Sequence, residues 1–205
     1  MMQRPWTPIP EGIGLRDRLA KIVPALKTER LTLRAPHAED WQTLEPIWRT
    51  DRARFLDGPF NEEDAWLDFA QAVAGWVLRG VGCWTVTRTA DGAVLGLVGM
   101  GQEVFDPELE LGWMLIEQAE GHGYAFEAAN AVLDYAFGEL GLKTLISFIH
   151  RENDRSIALA KRLGATPNDR DLPIELSEED LVFRHLPPTQ YRRNTDVIQT
   201  GTNAQ

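Results

Sequence analysis

Two glycines one residue apart, Gly121 and Gly123, follow a β-patterned run and precede a run of helix formers. The loop reads Gln118-Ala-Glu-Gly121-His-Gly123, inside residues 108–129. A strand that runs through a glycine turn into a helix makes a place for an anion. The first helical N–H groups have no acceptor within the helix, and the helix dipole favours negative charge there. Glycine lets an anion approach the backbone without meeting a Cβ. Narrower patterns fit less well: a dinucleotide fingerprint needs a third glycine where this chain has Phe126, and a phosphate loop needs Gly-Lys-Ser/Thr, which is absent. A tight turn capped by two glycines needs no ligand at all, so the turn alone leaves anion site and plain turn both open.

The elements that must position this loop are legible from periodicity. Residues 31–34 alternate as a strand. Residues 38–49 place Trp41, Leu44, Ile47 and Trp48 at helical spacing. Residues 62–79 do the same with Trp66, Phe69, Val73 and Trp76, after an acidic first turn. Residues 83–89 and 93–104 form strands joined by the Asp91-Gly92 turn. A fourth strand, 108–116, leads through the glycine loop into a helix over 123–139 that Gly141 ends. Residues 144–149 are β-rich, Asn153 is an N-cap for a helix over 154–163 that Gly164 stops, and 181–185 is the last strand. Strands and helices interleave, which predicts one α+β domain.

Composition narrows the classes. The chain has 205 residues, 43% hydrophobic and 25% charged, as a folded globular protein does. No apolar run approaches a membrane span, and the Pro-rich start has no apolar signal core, so a cytoplasmic location without membrane contact is expected. The single cysteine, Cys83, forms no internal disulfide, and the histidines show no metal spacing, so no metal is expected. Residues 31–187 carry 13 basic and 27 acidic side chains. Such a body repels a phosphate backbone, which argues against nucleic acid and suits a cationic partner, or serves solubility alone. Residues 1–27 read as an N-terminal extension with a short helix near 15–23, residues 28–187 as the domain, and 188–205 as a flexible C-terminal tail.

Several motifs in a fixed order resemble one family. Gln118-x-x-Gly121-x-Gly123-Tyr-Ala is similar to the pyrophosphate loop of the GNAT N-acetyltransferases. Thr28-Glu-Arg-Leu-Thr-Leu-Arg34, Gly112-Trp-Met-Leu115, Gly123-Tyr-Ala-Phe-Glu-Ala128, Asn153-Asp-Arg-Ser156 and Arg162-Leu-Gly164 resemble its ribosomal-protein N-terminal acetyltransferase branch, over roughly residues 26–186. The resemblance implies a mixed, mostly antiparallel sheet of six to seven strands with about four flanking helices, splayed between strands four and five. Acetyl-CoA would lie in that gap as cosubstrate. Main-chain groups of Met114, Leu115 and Ile116 would pair with the pantetheine amides. The loop of Gln118, Glu120, Gly121, His122, Gly123, Tyr124 and Ala125 would hold the pyrophosphate through its amides, and Asn153 would hold pantetheine.

The implied reaction is direct attack of a primary amine on the thioester, the acceptor being a protein N-terminus or a small amine. A carboxylate is the usual base for such an amine. Glu110 is the first candidate, on the face of the fourth strand shared by Gly112 and Met114. Glu108 on the same face and Glu103 on the preceding strand are rivals, and a solvated acidic edge is the plain alternative for all three. Many family members carry a tyrosine acid near the position of Ala160; here Ser156 is the candidate donor to the departing sulfur. The loop at residues 57–60 would line the acceptor side, with the acidic run Asn61-Glu-Glu-Asp64 near it, favouring a cationic acceptor. The helical tryptophans and Trp113 read as packing, and Cys83 as a buried strand residue. Two other classes stay open: a non-catalytic acyl-CoA-binding or sensing module, and an interaction domain whose glycine turn is only structural. An exposed sheet edge allows a monomer or a homodimer.

Overall fold

In a computed structural model, residues 4–104, 106–168, 172 and 177–188 are described. One sheet organises them. Its strands are β1 (Leu26–Lys27), β2 (Leu31–Arg34), β3 (Cys83–Arg88), β4 (Val94–Gly101), β5 (Glu110–Leu115), β6 (Leu145–His150), β7 (Thr166–Pro167) and β8 (Asp180–His185). They lie in the order β1-β2-β3-β4-β5-β6-β8-β7. Every neighbouring pair is antiparallel except β5 and β6, which run parallel. The expected mixed α+β sheet is therefore present with eight strands, not six or seven. The additions, Leu26–Lys27 and Thr166–Pro167, are two residues long and too short to show alternation.

The helices are α1 (Ile13–Ala20), α2 (Trp41–Leu44), α3 (Pro46–Arg49), α4 (Glu62–Arg79), α5 (Tyr124–Asp134) and α6 (Asp154–Arg162). The helix expected over 38–49 is broken: Pro46 brings no N–H and restarts the chain at the first position of α3. α5 continues through a π-turn at Tyr135–Glu139, and Gly141 follows at φ 65°. Asn61 starts α4 by accepting the N–H groups of Glu63 and Asp64, both at 2.9 Å.

Two apolar layers sandwich the sheet. On one side Leu31, Leu33, Val86 and Leu111 pack with Ala128, Val132 and Leu133 of α5. On the other, Trp41, Trp48, Ala65, Phe69 and Leu97 form an aromatic cluster beneath α2–α4. The chain before β2 is tied to both. The ring of Trp6 lies 5.8 and 5.7 Å from those of Trp41 and Trp66, and Pro24 C=O accepts the Trp84 indole N–H at 2.6 Å. The segment read from sequence as a C-terminal tail lies, from residue 189 on, outside the described residues.

β5 and β6 hold together at one register point, Glu110 opposite Ile146, and then part. Ser147 marks the fork. Its hydroxyl donates to Leu111 C=O at 2.7 Å and takes the N–H of the buried His185 ring at 3.0 Å. Burial drives His185 down to a pKa of about 4, so the ring stays neutral. Beyond the fork no strand among the described residues covers the β6-facing edge of β5. Because β5 pairs with β4 in register, Gly96 with Leu115 and Leu97 with Met114, and Ile116 N–H donates to Leu95 C=O at 2.9 Å, even-numbered residues turn their main-chain groups to β4. Trp113 and Leu115 turn theirs into the opening. The expected splay is thus observed; β1 renumbers the fourth and fifth strands as β5 and β6.

Candidate active site

The glycine loop sits at the mouth of this opening. After a single 3-10 turn, Glu117–Ala119, pinned by buried Ala119, the backbone passes through left-handed φ at Gly121 (77°) and Gly123 (78°) and enters α5 at Tyr124. Both angles disfavour side chains, and a Cβ at Gly121 would project into open space. The first amides of α5 lack intrahelical acceptors there. The neighbouring carboxylates do not oppose an anion. Burial works against ionisation of Glu120, but hydrogen bonds and charges from Arg52 and Arg155 outweigh it and keep the carboxyl below its usual range. Glu127 is likewise held low by Thr28 and Arg30, against the cost of burial. Arg30 also donates to His122 C=O at 3.0 Å and stacks 4.8 Å from the Tyr124 ring. An anionic pyrophosphate fits this backbone cradle. Gln118 and the His122 ring are exposed beside it, whereas the Glu120 carboxylate is occupied by its two arginines.

Among the three strand residues expected to pair with pantetheine, Leu115 alone presents its main chain to the opening. Its C=O accepts Arg52 at 2.8 Å. Across the gap, Asn153 Oδ1 accepts the N–H of Ser156 at 3.2 Å, so Asn153 caps α6 while also lining the cleft.

That cleft, about 430 Å³, runs from α4 across β5 into the fork. Glu110, Asn153 and Ser156 all line it. Glu110 is half-buried; burial pushes its carboxyl to a pKa of about 8, the Phe148 N–H bonded to it at 3.1 Å opposes the rise, and Asp106, Glu103 and Asp180 add to it. A Cβ at Gly112, next along the same face, would meet nothing within 4 Å. The rivals separate by geometry. Glu108 is clamped by Arg184, 3% exposed, through two contacts of 2.7 Å. Glu103 stands exposed at the cleft mouth, where its N–H donates to Asp106 at 2.7 Å. Ala160 is fully buried against Ile149 and Phe183, so this position holds a core side chain and offers the cleft no acid.

One expectation needs correction. The acidic run at 62–64 does not line the cleft. Glu62 pairs with Arg4 and Arg49, and Asp64 bonds the Asn61 cap. The acidic wall is built instead by Asp57, Asp68, Glu103 and Asp106. Asp68 had a readable signal: it interrupts the buried stripe of Ala65 and Phe69 on α4. The indole N–H of fully buried Trp48 donates to it at 2.5 Å, and burial lifts its pKa. Trp113 packs as expected, and its indole N–H also donates to Ser156 Oγ at 3.2 Å. Cys83 lines the cleft, yet burial and the Glu110 charge push its thiol to about 12, so it is no nucleophile.

A sheet opened at one parallel pair, a glycine-turned helix start and a cleft between them define an acetyltransferase of the GNAT type. The family model "Acetyltransferase (GNAT) domain" matches residues 30–166. YnaD of Bacillus subtilis strain 168, an uncharacterized N-acetyltransferase, is 27% identical over 145 residues, 68% of this chain and 81% of YnaD. The crystal structure of an acetyltransferase from Agrobacterium tumefaciens C58 is 36% identical, with TM-score 0.76 over 80% of this chain and 95% of its own. A spermidine N-acetyltransferase from Vibrio cholerae, solved with CoA and spermine, shares the fold at 18% identity and TM-score 0.63, over 80% of this chain and 99% of its own. The chain belongs to the GNAT acetyltransferase family. No helix among the described residues is long and apolar enough to cross a membrane.

Proposed function

We propose that the protein moves the acetyl group of acetyl-CoA to a primary amine that carries further positive charge, by direct attack in a ternary complex. The observation that carries this reading is the cleft: one carboxyl with a raised pKa on its floor, an acidic wall on one side, and a serine at the fork. The main-chain amides from Gly121 to Ala125 take the pyrophosphate, the Leu115 main chain and Asn153 take pantetheine, and the thioester ends between Glu110 and Ser156. The amine nitrogen forms its bond to the acetyl carbon as the C–S bond breaks. Glu110 receives the amine proton, directly or through water, and the Ser156 hydroxyl donates a hydrogen bond to the departing sulfur.

The raised pKa suits the base role. A lysine-like ammonium near 10.4 faces a gap of about 6 pKa units to an ordinary carboxylate, roughly 8 kcal/mol. Against a carboxyl at about 8 the gap shrinks to about 2.4 units, roughly 3 kcal/mol. A protein α-ammonium, near 7.7–8.0, is matched outright.

The acidic wall gives the acceptor its class. Asp57, Asp68, Glu103 and Asp106 face one cleft, and a second ammonium on the acceptor relieves their mutual repulsion. Asp68→Asn keeps an acceptor oxygen for Trp48 and removes only charge. It is expected to raise KM for a diamine about tenfold and to change KM for a monoamine by less than about twofold. Equal effects on both, measured by initial rates, would remove the wall from the account of specificity.

A further inference from the structure

We infer that Trp113 is a positioning residue, which aims the Ser156 hydroxyl at the departing sulfur by occupying the hydroxyl's acceptor side. The inference rests on the reading of Ser156 as the hydrogen-bond donor. An indole N–H can only donate, whereas a serine hydroxyl has one proton and two lone pairs. With Trp113 Nε1 at 3.2 Å from Ser156 Oγ, one lone pair is taken and the hydroxyl proton must turn away from the ring. The serine is fixed from its other end as well, because its main-chain N–H is held by Asn153 Oδ1 at 3.2 Å. A hydroxyl so held has its proton left for an acceptor inside the cleft.

The ring is built to stay there. Trp113 packs on the α5-side core and on the cluster of Ile149, Ala160 and Phe183 beneath α6. It therefore spans the fork from β5 to the first turn of α6, across the gap that opens past the single β5–β6 register point. Alternation along β5 gives a second consequence. Glu110 and Trp113 project from opposite faces of the strand, so the carboxyl and the indole-held hydroxyl approach the opening from opposite sides. An amine entering beside Glu110 and a sulfur leaving beside Ser156 would then lie across the thioester from each other, as displacement at the acetyl carbon requires. Core packing alone is served by Phe at this position; the hydrogen bond is not.

The test is a double-mutant cycle on Trp113→Phe and Ser156→Ala in the full-length protein. Acetyl transfer is read by thiol release, and acetyl-CoA binding by thermal shift. Trp113→Phe is expected to lower kcat about tenfold, with KM for acetyl-CoA within about twofold and the thermal shift retained. Ser156→Ala is expected to lower kcat by at least as much, and the double variant to match Ser156→Ala, since the indole acts only through the hydroxyl. Normal kcat in Ser156→Ala overturns the reading of Ser156 and this inference with it. Impaired Ser156→Ala beside normal Trp113→Phe, or losses that multiply in the double variant, overturns the inference alone. Should Trp113→Phe fold poorly, benzothienylalanine at position 113 keeps the ring's shape and removes only the N–H, with the same outcomes expected.

Discussion

Glu110→Gln is expected to lower kcat/KM by about 10²–10⁴-fold while leaving acetyl-CoA binding intact. Gln fills the same space and can still accept the Phe148 N–H, so the loss isolates proton transfer. The wild-type pH profile carries the same signature. A base with a pKa of about 8 is mostly protonated at neutral pH, so kcat/KM should rise with pH and level off above about 8. The limb in kcat should fall lower, because a bound ammonium favours the carboxylate form. Stability gives an independent check. The folded pKa lies above the unfolded value of 4.5, so the folded state holds the extra proton between the two. The stability that Glu110 contributes is complete below 4.5 and lost as pH rises through about 8. Glu110→Gln, which never ionises, should therefore gain in melting temperature relative to wild type from pH 5 to pH 9. A flat difference would mean that the carboxyl titrates as an exposed one.

Gly123→Asp is expected to abolish acetyl-CoA binding. At 100 times its Kd the cosubstrate should stabilise the wild type by about 2.7 kcal/mol, a shift of roughly 5–10 °C for a chain of this size. Gly123 sits at φ 78°, and the added Cβ would come 3.5 Å from Arg30 Nη2, which brings a carboxylate to the edge of the proposed pyrophosphate cradle. The unliganded variant should melt a few degrees lower, since a non-glycine residue in this conformation costs about 1–2 kcal/mol. Gly123→Asn, which tolerates the same φ and adds no charge, should keep part of the shift. A full shift in Gly123→Asp would locate the phosphates elsewhere.

Local chemistry was legible before the structure. The Gly121 and Gly123 turn, the Asn153 cap, the stop at Gly164 and the face carrying Glu110 each follow from residue type and spacing within a few positions. What stayed hidden depends on distant partners. Nothing near Glu108 signals that Arg184 clamps it, and that clamp is what separates it from Glu110. Alternation shows which face Met114 shares with Glu110. Which main-chain edge is free follows instead from the β4–β5 register, and this singles out Leu115 over Met114 and Ile116. The role of Trp113 depends on α6 folding back across the fork. The charge pattern hides its partners for the same reason. The acidic run at 62–64 stands out next to the loop at 57–60, whereas the cleft gathers isolated carboxylates from α4, the loop after β4 and the loop at Asp57.

The most direct test of the account is acetyl transfer itself. Purified protein is incubated with acetyl-CoA and a panel of monoamines, diamines, polyamines and short basic peptides, with free CoA thiol and acetylated amine quantified together. One acetylated amine is expected for each CoA released, with the highest kcat/KM on acceptors carrying a second positive charge. Acetyl-CoA that binds and stabilises the protein, while no amine in the panel becomes acetylated at any pH from 7 to 9, would contradict it and leave a module that binds the thioester without using it.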